Sequence, residues 1–205
     1  MATHTNEDYQ DRGYWENRYQ TEDSYEWCCD VSQWSKLFSE VVANNSRILV
    51  LGCGNSSMSA DLYHLGYTQI VNVDYSPSVI ANMQKKYENL AGMEWHTMDM
   101  FDLNFETSTF DCVLEKCTLE VLFVKEKDPW NPSDESVKQL ELLMQQISKV
   151  LRPGGYFISV SFTQPHFRLP LLRSVCPTWS IRHDVFGDAF HYFFYTCEKP
   201  VSHTA

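Results

Sequence analysis

The sequence predicts an α/β fold, with a mostly parallel sheet, helices on both of its faces and an antiparallel last strand. Three observations predict it. Residues 47–51 form an apolar run without polar alternation, as in strands that a parallel sheet buries on both faces. Further strand-like runs alternate with helical patterns, which favours parallel pairing. Two aromatic and β-branched runs, 179–186 and 190–198, are joined by Gly187-Asp188-Ala189, which is typical of a hairpin.

The first strand leads directly into a glycine turn, Gly52-Cys53-Gly54. Glycine at both positions allows the backbone to turn sharply and to approach a ligand closely. Asn55, Ser56 and Ser57 then offer helix caps before a helix predicted over 58–65. Such a turn presents free backbone N–H groups to a nucleotide. Because position 57 is Ser, the third glycine of the dinucleotide fingerprint is missing, which disfavours a nicotinamide oxidoreductase.

Acidic residues follow the next three predicted strands. The strand 69–73 ends at Asp74, twenty residues beyond Gly54, where a carboxylate can accept hydrogen bonds from both ribose hydroxyls. The strands 93–98 and 109–115 lead into Asp99-Met100 and Glu115-Lys116. Open α/β sheets bind ligands at the carboxyl ends of their strands, so these residues are expected at one site.

The remaining elements follow from periodicity and capping. Apolar residues recur at helical spacing between Asp134 and Val150, which predicts a long helix capped by Ser133 or Asp134. The Leu151-Arg152-Pro153-Gly154-Gly155 segment is predicted to stop that helix before a strand at 156–162. Other helical segments are predicted at 31–43, 77–90 and 119–125.

The N-terminal region is aromatic. Trp15 and Tyr19 are four residues apart and share one face of a predicted helix. Two interpretations stand side by side: ordinary core contacts, or a lid of rings that closes over a cationic cofactor. We expect residues 1–8 to be disordered, 9–199 to form a single domain with the aromatic lid and a helix in 9–46, and 200–205 to be a loose tail.

Composition limits the function further. The 205 residues carry a net charge of −11, which disfavours a nucleic-acid surface. No apolar run approaches the ~20 residues that span a bilayer, and the polar N-terminus lacks a signal-peptide core. Seven cysteines include no Cys-x-x-Cys pair, so neither a metal site nor a disulfide framework is expected. We therefore predict a cytoplasmic protein without a membrane partner.

The ordered motifs resemble a known family. Leu51-Gly52-Cys53-Gly54, Asp74, Asp99-Met100 and Leu151–Gly155 are together similar to class I S-adenosylmethionine-dependent methyltransferases, over roughly residues 9–199. The resemblance implies a Rossmann-like seven-stranded, mostly parallel sheet whose last strand is antiparallel. A narrower similarity, to the branch that methylates a lysine of translation elongation factor 1A, rests on these motifs: Tyr14-Trp15-x-x-Arg18-Tyr19, Val73-Asp74-Tyr75-Ser76, Leu114-Glu115-Lys116 and Pro165-His166-Phe167-Arg168.

Two positions depart from that branch. It usually has Gly and Asp where this chain has Cys117 and Glu120. The resemblance still implies a protein-lysine N-methyltransferase with S-adenosylmethionine as cofactor and elongation factor 1A as protein substrate. Two alternatives remain open at this stage, a small-molecule methyltransferase and a catalytically silent cofactor-binding module, because a fold does not fix a substrate.

The resemblance also implies the site residues. Glu115 and Glu120 are candidates for orienting or deprotonating a substrate lysine, and the loop 125–132, His166 and Arg168 are candidates for substrate contacts. The cofactor-binding residues that it implies are Trp15, Tyr19, Trp27, Gly52, Cys53, Gly54, Asp74, Tyr75, Asp99, Met100, Glu115 and Lys116.

Overall fold

The computed structural model describes residues 5–201, and all strands in this range belong to one sheet. The strands are β1 Ile48–Leu51, β2 Ile70–Asp74, β3 Met93–Thr97, β4 Phe110–Lys116, β5 Leu151–Ser161, β6 Ser180–Phe186 and β7 Tyr192–Glu198. The α-helices are α1 Arg12–Tyr19, α2 Ser35–Ser39, α3 Met58–His64, α4 Pro77–Lys86, α5 Asp134–Val150 and α6 Pro165–Val175. Short 3-10 helices occupy Asn6–Gln10, Val31–Gln33 and Leu119–Phe123.

The sheet order is β3-β2-β1-β4-β5-β7-β6. Strands β1 to β5 pair in parallel, and β7 lies antiparallel between β5 and β6. The predicted parallel sheet with an antiparallel last strand is thus confirmed. The chain reverses direction along the sheet between β3 and β4, so β1 and β4 are neighbours at the place where such sheets open a crevice for ligands.

Strand β1 shows why an apolar run without alternation was required. Ile48 and Val50 pack on one face with Trp34 and Phe38, while Leu49 and Leu51 pack on the other face with side chains of α5. All four β1 residues are buried. Burial of each such side chain stabilises the fold by about 1.5–3 kcal/mol.

Several boundaries differ from the sequence-based expectation. The helix predicted over 31–43 is broken into Val31–Gln33 and α2, because Trp34 leaves the helical conformation at φ −130° and ψ 0°. Helix α6 was not predicted. Its sequence carries Pro165 at the first turn and Pro170 inside, yet burial of Arg168 and Leu172 accompanies an 11-residue helix.

The chain ends bear on two further expectations. Residues 1–4 and 202–205 lie outside the described residues. Residues 5–8, expected within a disordered segment, form a capping box at the start of the 3-10 helix Asn6–Gln10. Over the range 5–201, the structure contains no helix with the length and apolar character needed to cross a membrane.

Candidate functional site

A cavity of about 570 Å³ opens at the carboxyl edge of the sheet. Its volume falls in the range of small-molecule and cofactor sites. It gathers eleven of the twelve residues implied to bind a cofactor, and also Glu120. The eleven are Trp15, Tyr19, Trp27, Gly52, Cys53, Gly54, Asp74, Tyr75, Asp99, Met100 and Lys116.

The glycine turn after β1 forms the tightest part of the wall. Gly52 and Gly54 have φ values of +59° and +51°, which glycine adopts without strain. A Cβ atom at Gly52 would lie 2.6 Å from Thr118 Cγ2, and one at Gly54 would lie 3.0 Å from the Tyr19 hydroxyl. Both positions therefore need glycine for conformation and for space.

Asp74 ends β2 beside that turn, and backbone donors hold its carboxylate. Oδ2 accepts from Gly54 N at 3.0 Å and Oδ1 accepts from Ser76 N at 3.0 Å. Burial raises the pKa of Asp74 to about 6. Each oxygen has a second lone pair, so the fixed carboxylate can still accept hydrogen bonds from two hydroxyls of a ligand.

Asp99 lies at the same edge, after β3, in a more open position. Its Oδ1 accepts from Phe101 N at 3.0 Å, and its Oδ2 pairs with Arg12 of α1. The Arg12 guanidinium also lies over the Tyr75 ring, 5.0 Å from its centroid. In this structure Arg12 therefore contacts two of the residues implied to hold an adenine ring.

Residues 6–29, here called the N-terminal lid, cover the cavity. Trp15 stacks between Tyr9 and Tyr19, with centroid distances of 5.5 and 5.6 Å. Gln10 Nε2 donates to the carbonyls of Val121 and Leu122 at 3.0 and 3.5 Å, which ties the lid to the opposite rim.

The N-terminal aromatic residues divide between the cavity wall and the core, and Tyr19 belongs to both. Trp15, Tyr19 and Trp27 line the cavity, whereas Trp34 is fully buried in the core. Electron-rich ring faces suit a cationic ligand, so the lining set supports a lid over a charged cofactor.

Two long-range links join the lid to the end of β4. The buried Lys116 ammonium pairs with Glu26 and donates to the Trp27 carbonyl at 2.6 Å. Cys28 and Cys117 form a disulfide with Cα atoms 7.0 Å apart. The expectation that the cysteines form no disulfide is thus wrong for this pair, which spacing alone cannot reveal because 89 residues separate its members.

The glycine that the related branch carries at position 117 has a structural counterpart here. Cys117 adopts φ +57° and Cys28 adopts φ +66°, both in the left-handed region that favours glycine. Cys117 therefore keeps the backbone conformation of the turn while adding a covalent link to the lid.

Glu115 and Glu120, the two candidate catalytic carboxylates, have different environments. Glu115 is not among the residues that line the cavity, and the described contacts of its carboxylate lie within the protein. Its Oε2 accepts from the backbone N–H groups of Thr118 and Leu119 at 2.8 and 3.2 Å, and Oε1 accepts from Ser159. Burial, and then the nearby Glu120 charge, raises the pKa of Glu115 to about 7.

The predicted substrate-contact residues are also divided by the structure. Trp130, in the loop 125–132, is 66% exposed and stacks on His166 with ring centroids 5.1 Å apart. Phe167 packs against the same indole edge-on. Arg168 is buried and pairs with Glu120, so a surface contact to a substrate is wrong for this residue.

Sequence reasoning missed several cavity residues. Tyr9 and Gln10 lie at the start of the predicted domain but belong to no motif, and Phe162 follows β5 with no motif to mark it. Arg12 belongs to no sequence motif, and only the fold shows that it pairs with Asp99 in the cavity wall. Six lining residues were not predicted as cofactor contacts: Tyr9, Gln10, Arg12, Cys117, Thr118 and Phe162.

Comparison with known proteins agrees with this geometry. Residues 43–195 match the family model described as a methyltransferase domain. The chain is 41% identical to the EEF1A lysine methyltransferase 4 of Mus musculus, over 91% of this chain and 74% of that protein. It is 40% identical to the EEF1A lysine methyltransferase 4 of Bos taurus, over 93% of this chain and 76% of that protein.

Solved structures share the fold at low sequence identity. The N-methyltransferase NodS from Bradyrhizobium japonicum, in complex with S-adenosyl-L-homocysteine, superposes with a TM-score of 0.67 and 14% identity, covering 92% of this chain and 97% of that chain. A SAM-dependent methyltransferase from Methanosarcina mazei gives a TM-score of 0.64 and 18% identity, covering 81% and 98%.

Proposed function

The chain belongs to the methyltransferase-domain family, and from this premise we propose that it transfers a methyl group from S-adenosylmethionine to a lysine of translation elongation factor 1A. The observation that carries the proposal is the convergence of the glycine turn, Asp74 and Asp99 on one aromatic-lidded cavity. The mouse and cattle relatives are named as EEF1A lysine methyltransferases, which supports elongation factor 1A as the substrate.

The residues present fit the cofactor. Gly52 and Gly54 line the cavity without side-chain atoms, so a ligand can approach the backbone of the turn closely. Asp74 accepts the ribose hydroxyls with its remaining lone pairs, and charge-assisted bonds of this kind are strong. Asp99 and Tyr75 would hold the adenine, and the Asp99 oxygen that pairs with Arg12 would then be shared with or released to the ligand.

The residues near the lid would hold the methionine end of the cofactor. The backbone carbonyl of Lys116 would accept its ammonium, and the rings of Trp15, Tyr19 and Trp27 would surround its cationic sulfur. When bound, S-adenosylmethionine supplies an electrophilic methyl group. The chain's own contribution is to exclude water and to hold the nucleophile in line, and positioning of this kind is worth up to ~7–11 kcal/mol.

A lysine substrate enters as an ammonium, with a reference pKa of about 10.4, and must lose a proton before it reacts. Aromatic walls desolvate the amine and favour its neutral form. The exposed Trp130 and His166 pair is the proposed contact with the surrounding surface of the protein substrate.

The test incubates the purified chain with tritium-labelled S-adenosylmethionine and purified elongation factor 1A, and mass spectrometry then locates the methylated lysine. A eukaryotic lysate is labelled in parallel, with Asp74→Ala as the inactive control. We expect one labelled protein band at the size of the elongation factor. Label confined to the small-molecule fraction, or absence of label altogether, would overturn the proposal.

A further inference from the structure

A buried polar cluster supports one wall of the cavity, and Glu120 is at its centre. Glu120 is 9% exposed and its partner Arg168 is 1% exposed. The Arg168 Nη2 and the Ser161 hydroxyl both donate to Glu120 Oε1. The Thr163 hydroxyl donates to the same oxygen at 3.1 Å. Three donors from β5, its following turn and α6 therefore converge on one oxygen of the carboxylate.

The other oxygen is left without a partner. Glu120 Oε2 is sealed from solvent and accepts no hydrogen bond from any residue within 5–201. A buried carboxylate oxygen without a donor is costly, and more so than a neutral acceptor. The Nε and Nη1 atoms of Arg168, in the same ion pair, also lack an acceptor among the described residues, so this packing leaves donors and an acceptor unmatched. Glu120 itself lines the cavity, and a small rotation of its carboxylate that turns Oε2 toward the cavity would let a cationic ligand supply the missing donor.

The position of Glu120 in the fold separates it from the nucleoside, which leaves two ammonium groups as candidate ligands: that of the cofactor, proposed beside Lys116, and that of the substrate lysine. Gly52, Asp74 and Asp99 follow β1, β2 and β3, on one side of the sheet. Glu120 follows β4, and its three donors come from the next strand outward and from α6. The half of the cavity that holds Glu120 is thus opposite to the half proposed for the nucleoside.

We infer that Glu120 Oε2 accepts the ammonium group of the substrate lysine, and that Arg168 is a positioning residue that fixes the carboxylate through Oε1. The inference rests on the proposed function and names the group that receives the nucleophile. Glu120 orients the nitrogen toward the cofactor. Arg168 does not contact the substrate. It pairs with the Glu120 carboxylate and so keeps that carboxylate charged and in place.

The same chemistry, a primary ammonium, is present on the cofactor, so the experiment separates the two sources. It uses the full chain and three variants: Glu120→Gln removes the charge, Glu120→Asp keeps it on a shorter side chain, and the exposed Glu141→Gln is the matched control. Calorimetry with S-adenosylhomocysteine should give the same affinity for all four proteins. A loss of affinity confined to Glu120→Gln would assign Oε2 to the cofactor and overturn the inference.

The binding arm does not need the protein substrate. With S-adenosylhomocysteine bound, n-butylammonium is titrated and the tryptophan indole signals are followed by NMR. We expect saturable shifts in the native chain and in Glu141→Gln, and their loss in Glu120→Gln. Equal binding by Glu120→Gln, or no binding by the native chain, would overturn the inference.

The kinetic arm uses elongation factor 1A. We expect kcat to fall about 100-fold in Glu120→Gln, as for other misplaced nucleophiles, with partial recovery in Glu120→Asp. The rising limb of kcat against pH should move to lower pH in Glu120→Gln, because the carboxylate that stabilises the ammonium is gone. Arg168→Lys should lower kcat without moving KM for the cofactor.

Full activity of Glu120→Gln in an assay where the native chain is active rejects this inference alone. Inactivity of the native chain rejects the proposed function alone, and the butylammonium arm then decides the inference.

Discussion

The two halves of the cavity are built by different means. In the half that follows β1 to β3, backbone N–H groups hold one or both oxygens of each carboxylate: Asp74 is held by Gly54 and Ser76, and Asp99 by Phe101, with Arg12 on its other oxygen. In the half that follows β4 and β5, side chains from distant segments hold one another, as in Glu120 with Arg168 and Lys116 with Glu26.

The difference has a physical reason. A cofactor that recurs across a family can be bound by turns, because a turn presents the same N–H groups whatever the neighbouring side chains are. The wall that follows β4 and β5 depends on the chain's own side chains, whose contacts join residues 41 to 90 apart in sequence. Loss of a single side chain should therefore affect ligand affinity in the first half, and reactivity or lid stability in the second.

The largest expected effect tests the first half. Asp74→Ala removes an acceptor that is proposed to make two charge-assisted bonds, so S-adenosylhomocysteine affinity should fall by about 4 kcal/mol, roughly 1,000-fold. Isothermal calorimetry measures it, with the exposed Asp188→Asn as the control. Equal affinity of Asp74→Ala and the native chain would mean that the nucleoside binds elsewhere.

The disulfide tests the link between the second half and the lid. Cys117→Ser opens a loop closed over 89 residues, so the free energy of unfolding should fall by about 3 kcal/mol. Cys117→Gly should be about 1 kcal/mol more stable than Cys117→Ser, because glycine adopts positive φ without strain. Urea denaturation without reductant measures both.

A reductant provides the control for that comparison. Added to the native chain, it should lower the urea midpoint toward that of Cys117→Ser and leave the variant unchanged. A native midpoint that is insensitive to reductant contradicts a stabilising role for the Cys28–Cys117 link.

The pH dependence of cofactor affinity sharpens the description of Asp74. Since burial raises the pKa of Asp74 to about 6, the carboxylate is charged above that pH and neutral below it. The affinity for S-adenosylhomocysteine should therefore fall as the pH is lowered, about tenfold between pH 7 and pH 5. Asp74→Asn should bind weakly with no such slope, and an equal slope in that variant would assign the titration to another group.

The smallest effect concerns Asp99, which is more exposed than Asp74. Its side chain is 29% exposed and already shared with Arg12, so Asp99→Ala should weaken S-adenosylhomocysteine binding only about fivefold, or about 1 kcal/mol. Competition binding against the native chain resolves a change of this size. A loss as large as that of Asp74→Ala would show that the two carboxylates do not differ in the way their exposure indicates.

The same difference explains which parts of the fold and of the site the sequence could predict. The strand ends, the glycine turn and Asp74 were predicted because local rules of turn chemistry and sheet topology act over a few residues. Glu120 was one of two candidates, and only its surroundings separate it from Glu115, whose carboxylate caps the Leu119–Phe123 helix.

Other features depended on packing that local patterns do not encode. Helix α6 contains Pro170, which local propensity disfavours, and tertiary burial of Leu172 offsets that cost. The break at Trp34 places its ring in the core beside Phe38 and Phe194, so packing overrides the amphipathic pattern there. The Cys28–Cys117 pair similarly follows from the folded position of the lid.

The two tryptophans in the cavity wall give the molecule an intrinsic optical reporter. Trp15 and Trp27 line the ligand space, whereas Trp34 is enclosed in the core. Entry of the proposed cofactor should change the polarity around Trp15 and Trp27, against the background emission of the other four tryptophans. Occupancy can therefore be followed by emission spectroscopy on the unlabelled chain, and a Trp15→Phe variant would identify which ring responds.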